Sequence, residues 1–166
     1  MLEVLRLLTR YRAWADGMTF ESLGELPPDE VAKPRDTLFK SMIHTMNHNL
    51  VIDQIFKGHL TDTDHGHTKR NTPAPPPLAD LAAAQAEMND WFVAYAEGLD
   101  ATAAAERIRF DFVDGGEGEM SRADMVLHVV NHASYHRGFV AEMMYQVPAK
   151  PPATDLPVYL RDAAPG

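Results

Sequence analysis

The sequence predicts an all-α protein, a four-helix bundle with a small β-hairpin before its last long helix. Three observations carry this. Four long segments repeat apolar residues at the three-and-four spacing of one helical face. Proline- and glycine-rich stretches separate those segments. One short stretch, Arg107–Val113, instead alternates apolar with charged residues, as a half-buried strand does. With 166 residues, 45% of them hydrophobic, the chain suits a single domain (residues 1–166) with one substantial core.

The first helix is expected over Met1–Leu26, with Leu2, Leu5, Leu8, Ala15, Met18 and Phe20 as its apolar positions and Trp14 as a core residue; Tyr11 is a candidate for the mouth of a site. Pro27-Pro28 ends it, because proline cannot continue the hydrogen-bond ladder. The second helix is expected from about Thr37, with Asp36 or Thr37 as N-cap, to Lys57, closed by Gly58. Residues 58–77 read as a mobile, solvated loop that ends in a stiff run of prolines. A third helix spans Leu78–Leu99, alanine-rich and free of histidine, with Leu81, Ala84, Met88, Trp91, Phe92 and Tyr95 facing inward as scaffolding. After a turn or linker at 100–106 comes the strand, with Ile108, Phe110 and Phe112 on one face. Asp114-Gly115-Gly116 then signals a turn and Glu117–Met120 a return strand. Ser121-Arg122-Ala123-Asp124 opens the last helix as a capping box, with Asp124 in the usual place of glutamate, and the helix runs to about Gln146. Gly138 in its middle is expected to permit close helix packing. The tail, residues 148–166, holds a short helical piece near Leu156–Arg161 and is expected to pack on the bundle.

Chemistry concentrates in the last helix. His128, His132 and His136 are spaced four and four, so their imidazoles share one stripe. Two histidines at i and i+4 can hold one metal ion, but a site needs a further ligand from another element. The second helix offers it with His44 and His48, again four apart; one of them facing His132 and His136 makes a three-histidine site with positions open to water or substrate. No glutamate lies between His132 and His136, which excludes the HExxH arrangement of metalloproteases. Asp53 is either an exposed acid, an ion-pair partner for Arg137, or a carboxylate that orients a ligand imidazole. His59, His65 and His67 fall in the loop and read as solvated residues. His128 reads as a core residue or one that supports the ligands. No general base stands out: Glu142 faces elsewhere on the helix, and Tyr11 and Tyr135 are weak candidates.

Composition narrows the function. The chain has no cysteine, so disulfides, thiolate ligands and a cysteine nucleophile are excluded and a soft-metal site must rest on histidine. A net charge of −9 argues against a nucleic-acid partner. No apolar run is long enough to span a membrane and no signal-like segment opens the chain, so a cytoplasmic protein with no membrane partner is expected.

Several stretches are recognisable together: Tyr11-Arg12-Ala13-Trp14-Ala15-Asp16, Leu26-Pro27-Pro28-Asp29-Glu30, Asn47-His48 through Asp53, Phe110–Gly115, Asn131-His132 through His136-Arg137-Gly138, and Pro151–Leu156 with Tyr159-Leu160-Arg161. In these the chain resembles, nearly end to end, the DinB-like family of metal-dependent hydrolases and thiol transferases; NHxxxHRG combined with an upstream NHxxxxD is the specific part. The resemblance implies a DinB-like four-helix bundle with a left-handed helix arrangement, commonly a homodimer. It also implies that the metal ligands are His48, His132 and His136. Three neutral imidazoles suit a divalent ion, zinc or nickel first, iron or cobalt next. The expected function is a metal-dependent hydrolase or low-molecular-weight-thiol transferase acting on a small molecule. The alternative is a non-catalytic, stress-related protein that binds or senses a metal.

Overall fold

The computed structural model describes residues 1–164, and its four long helices are α1 (Leu2–Gly24), α3 (Met42–Thr61), α4 (Leu78–Gly98) and α6 (Arg122–Tyr145). Three short helices sit between or after them: α2 (Pro28–Ala32), α5 (Ala101–Ala105) and α7 (Leu156–Asp162). α1 stops ahead of the double proline, and Pro28 then takes the first turn of α2, where a missing N–H costs nothing.

The second long helix departs from expectation at both ends. It starts at Met42, not Thr37, and its N-cap is Ser41, whose hydroxyl accepts from the His44 N–H. The reason lies just before it. Lys40 adopts φ 66°, a left-handed conformation that no helix can contain. Arg35 also fastens the segment back to α2 by donating to the Glu30 carbonyl and carboxylate. At the other end α3 runs through Gly58 to Thr61, and Asp62 takes the left-handed cap at φ 53°. Gly58 is therefore not the stop. A Cβ there would stand 2.9 Å from both the Thr63 carbonyl and the His65 Cβ, so glycine is what lets the following loop lie on the helix.

The hairpin matches its alternating pattern. β1 (Arg107–Asp111) pairs antiparallel with β2 (Glu117–Ser121), Ile108 opposite Met120 and Phe110 opposite Gly118. Ser121 and Asp124 form the capping box of α6 with both reciprocal bonds present. α1 packs against α4 and α6, and α3 against α6 and α4, around a core that includes Leu5, Leu23, Met46, Val51, Phe92, Met125 and Val129. The tail folds back onto α1. Tyr159 is buried with its ring 5.5 Å from Trp14 and 5.9 Å from Tyr11; the last two tail residues, Pro165 and Gly166, lie outside the described residues. Gly138 corrects an expectation. It is exposed, and nothing lies within 4 Å of where its Cβ would be, so no helix packs there. Among the described residues no helix is long and apolar enough to cross a membrane.

Candidate metal centre

α3 and α6 face each other, and that is what brings their histidines together. His48 on α3 and His132 and His136 on α6 each offer a ring nitrogen, and these atoms all lie within 4.8 Å of one another. Among the described residues no other cluster of three or more histidine or carboxylate groups has this closeness. The four-residue spacing on α6 makes the pair; the packing of α3 on α6 supplies the third.

The donor chemistry fits a metal ion. The Arg70 carbonyl, at 2.6 Å, accepts from the Nδ1–H of His48. This fixes the tautomer and leaves the Nε2 lone pair free, the arrangement typical of a ligand imidazole. That Nε2 lies 3.1 Å from the Nε2 of His132. Two nitrogens bound tetrahedrally at 2.0–2.1 Å would stand about 3.3 Å apart. His48 and His136 are each 3% exposed. Burial, then the neighbouring His136 and His48, pushes His132 down to about 2. Burial, then His48, pushes His136 down to about 4. Burial also lowers His48, against the pull of the Arg70 carbonyl. At neutral pH all three are therefore uncharged donors. The Nδ1 atoms of His132 and His136 are buried with no hydrogen-bond partner, so the cluster is not satisfied from within the protein.

The remaining histidines fall away from this cluster. His44 hydrogen-bonds the Ser41 hydroxyl through Nδ1 at 2.9 Å, at the start of α3. His128 is half-buried, one turn before His132, with its ring 4.5 Å from Phe56 and its pKa lowered by burial. His67 reaches Gln54, and the ring nitrogen of His65 accepts from the His67 backbone. Tyr11 does not face the histidines. Its hydroxyl donates to the Thr154 carbonyl, and its ring lies under the Arg137 guanidinium.

Asp53 orients no imidazole, nor does it meet Arg137. It is fully buried and bonded to Arg12 and to the Gln85 amide. Arg137 pairs with Asp16 at 2.7 Å, and Asp16 also accepts from Arg12 and Asn89. Sequence reading missed this buried network, which recruits Gln85 and Asn89 from the helix expected to be scaffolding alone. It also missed two residues beside the histidine cluster. Phe39 stacks on the His48 ring at 4.1 Å and lies 5.4 Å from His136. Arg70 acts through its backbone, held in place by Asn71, which donates to the His44 carbonyl and itself accepts from Asn47. Neither follows a periodic pattern. The one available signal was that both flank a stretch already rich in histidine.

A helical bundle whose facing helices present three converging, uncharged histidines has a site that could hold a metal ion between its helices. The comparisons with known proteins give the family. The DinB family model matches residues 1–166, and the chain belongs to that family. It is 25% identical over 162 residues to Protein DinB of Bacillus subtilis (strain 168), covering 92% of this chain and 91% of that one. Its fold is similar to the crystal structure of a DinB-like protein from Bacillus cereus ATCC 10987, with a TM-score of 0.65 at 16% identity over 87% of this chain and 91% of the other.

Proposed function

We propose that this protein is a metal-dependent enzyme in which His48, His132 and His136 hold one divalent ion, zinc or nickel by preference, and which transfers a low-molecular-weight thiol to an electrophilic small molecule. The observation that carries the reading is the convergence of three uncharged imidazoles, His48 and His136 buried and His132 half-buried, with the Nδ1 atoms of His132 and His136 left unpartnered. When bound, such an ion supplies Lewis acidity, lowering the pKa of a thiol or water at the site. The protein's own residues do the rest. The Arg70 carbonyl holds the His48 tautomer, Phe39 shields the ring of His48, and burial excludes bulk water from the reacting atoms.

Thiol transfer is favoured over hydrolysis by what surrounds the cluster. Hydrolysis calls for a carboxylate or other base to take a proton from water. The bundle's buried carboxylates, Asp16 on α1 and Asp53 on α3, are already committed to Arg12 and Arg137. A bound ion would bring a thiol, already far more acidic than water, to the thiolate at neutral pH with its proton passing to solvent, and with no cysteine in the chain the sulfur would come from a cosubstrate.

The test is metal content by elemental mass spectrometry on the purified protein and on His48→Ala and His132→Ala, followed by a thiol-transfer assay with an activated aryl halide and a panel of small thiols. About one ion per chain, lost in both variants together with turnover, is the expected result. Tight stoichiometric metal without turnover would mark a metal store or sensor instead. No metal, and no uptake of added zinc or nickel, would sink the reading altogether.

A further inference from the structure

From His48, the stripe along α3 continues through Ile52, Ile55 and Phe56. From His132, the stripe along α6 runs back to His128, and the two stripes meet where the His128 ring lies 4.5 Å from Phe56. Beyond that meeting point is a cavity of about 90 Å³. Ile52, Ile55 and Phe56 of α3 form one wall, and Phe110, Phe112 and Val113 of the hairpin the other. Its lining starts one helical turn, about 6 Å of rise, from the His48 ligand. At the rim Arg70 pairs with Asp114 at 2.8 Å. Arg70 thus touches both sites, its side chain closing the cavity and its carbonyl holding His48.

The hairpin is built to leave this space. Phe110 lies opposite Gly118, and a Cβ on Gly118 would stand 2.6 Å from the Phe110 ring. Glycine lets that ring lie flat across the strand pair and form a wall, the way an aromatic covers a strand glycine. The cavity is smaller than the roughly 150 Å³ that accepts benzene. Its volume suits a short or branched alkyl group better than an aromatic ring.

We propose that this cavity between α3 and the hairpin holds a short alkyl group of the small molecule on which the three-histidine centre acts. The identity of the occupant rests on the metal-dependent reading above; the existence of the site does not. Arg70 is the residue the two sites share, its side chain lining the cavity and its carbonyl bonded to His48. Affinity is expected to rise about fourfold for each methylene that enters, as burial of one CH₂ dictates, and to stop rising once the cavity is full.

The experiment uses the four isoleucines of the chain as reporters: Ile52 and Ile55 line the cavity, while Ile43 and Ile108 do not. The full-length protein with labelled isoleucine methyls is titrated with ethanol, 1-butanol and 1-hexanol and followed by NMR. Saturable shifts confined to Ile52 and Ile55, tightening from ethanol to butanol, are expected. Gly118→Ala, which displaces the Phe110 ring from the cavity wall, should weaken butanol binding at least fivefold while metal content stays unchanged. Ile55→Phe, which fills the cavity from the other wall, should do the same. Weak, unsaturable shifts at all four isoleucines, or unchanged butanol binding in both variants, would overturn the proposal. The two readings can fail separately. Chain-length preference in an electrophile series tests the occupant, and turnover without any such preference removes this inference alone. Absence of turnover with every electrophile removes the enzymatic reading and the occupant's identity, while the methyl titration still decides whether the site exists.

Discussion

Two buried polar clusters sit side by side in this bundle, and α6 builds both with consecutive residues: His136 enters the histidine cluster and Arg137 the ion-pair network. The network balances its own charge. Two arginines face two aspartates, Arg12 is joined to both carboxylates, and Gln85 and Asn89 fill in between. Only Arg12 Nη1, Arg137 Nε and Gln85 Oε1 are left without partners within it. Burial works to strip Arg12 of its charge, but the Asp53 and Asp16 carboxylates outweigh it and hold the guanidinium protonated. The histidine cluster has three nitrogen donors and no negative charge to answer them. The first is a finished structural element that joins α1, α3, α4 and α6. The second could take a cation from outside, which is what distinguishes a candidate site from a brace.

The comparison is broken most directly at Asp16, which serves both arginines. Asp16→Ala leaves Arg137 buried with no carboxylate, and stranding one member of a buried ion pair costs about 3–5 kcal/mol. Urea denaturation should show that loss, while the folded fraction still binds one metal ion per chain. A cost under about 1 kcal/mol would mean that the network is not the brace described here.

At His132 the opposite pattern is expected. His132→Ala should abolish metal uptake yet change the stability of the metal-free protein little, because it removes an imbalanced imidazole along with its packing. Zinc at a thousandfold excess over its Kd should stabilise the parent protein by about 4 kcal/mol and the variant not at all. Calorimetric melts with and without zinc read this difference; an equal zinc shift in both proteins would place the ion elsewhere.

The pH dependence sharpens the contrast further. In the metal-free protein burial holds His132 at about 2 and His136 at about 4, against about 6.5 in an unfolded chain. Both states are neutral above pH 6.5, and stability is then full. Below it the unfolded chain takes up protons that the folded cluster refuses, so stability falls as pH drops toward the folded values. Between pH 6.5 and 5 the two residues together should cost on the order of 2 kcal/mol once solvent screening at half-buried His132 is allowed for. Bound metal should leave over the same window, because protons compete for the same nitrogens. Chelated protein melted at pH 7.5, 6 and 5 should show the loss, and His132→Ala should flatten it.

The difference between the clusters also explains how much the sequence made legible. Four-residue histidine spacing is a local signal that survives without tertiary context, so His132 and His136 stand out, and facing helices then select His48 over His44. Helix existence, the hairpin and the capping box follow from equally local patterns. The network does not. Arg12 and Asp16 carry no local signal beyond their motif and Asp53 is left among three roles, because what buries them is the approach of α4 and α6, far away in sequence. The start of α3 was misplaced for a related reason. Asp36 and Thr37 are good caps by type, but the left-handed turn at Lys40 is stabilised by Arg35 reaching back to Glu30, a contact that no capping preference encodes.

The smallest effect is expected at the residue after Arg137, and it serves as the control for the other three. Along α6, His136 faces the histidine cluster, Arg137 the network and Gly138 the solvent, with empty space where its Cβ would be. Gly138→Ala therefore adds no clash and restores helix propensity, which should stabilise the protein by up to about 1 kcal/mol. Neither cluster should notice: metal stoichiometry and the slope of stability against pH should match the parent. Destabilisation by this one methyl group would mean that the exposed face of α6 is covered in solution. The histidine and network variants would then have to be read for lost assembly as well as for lost contacts.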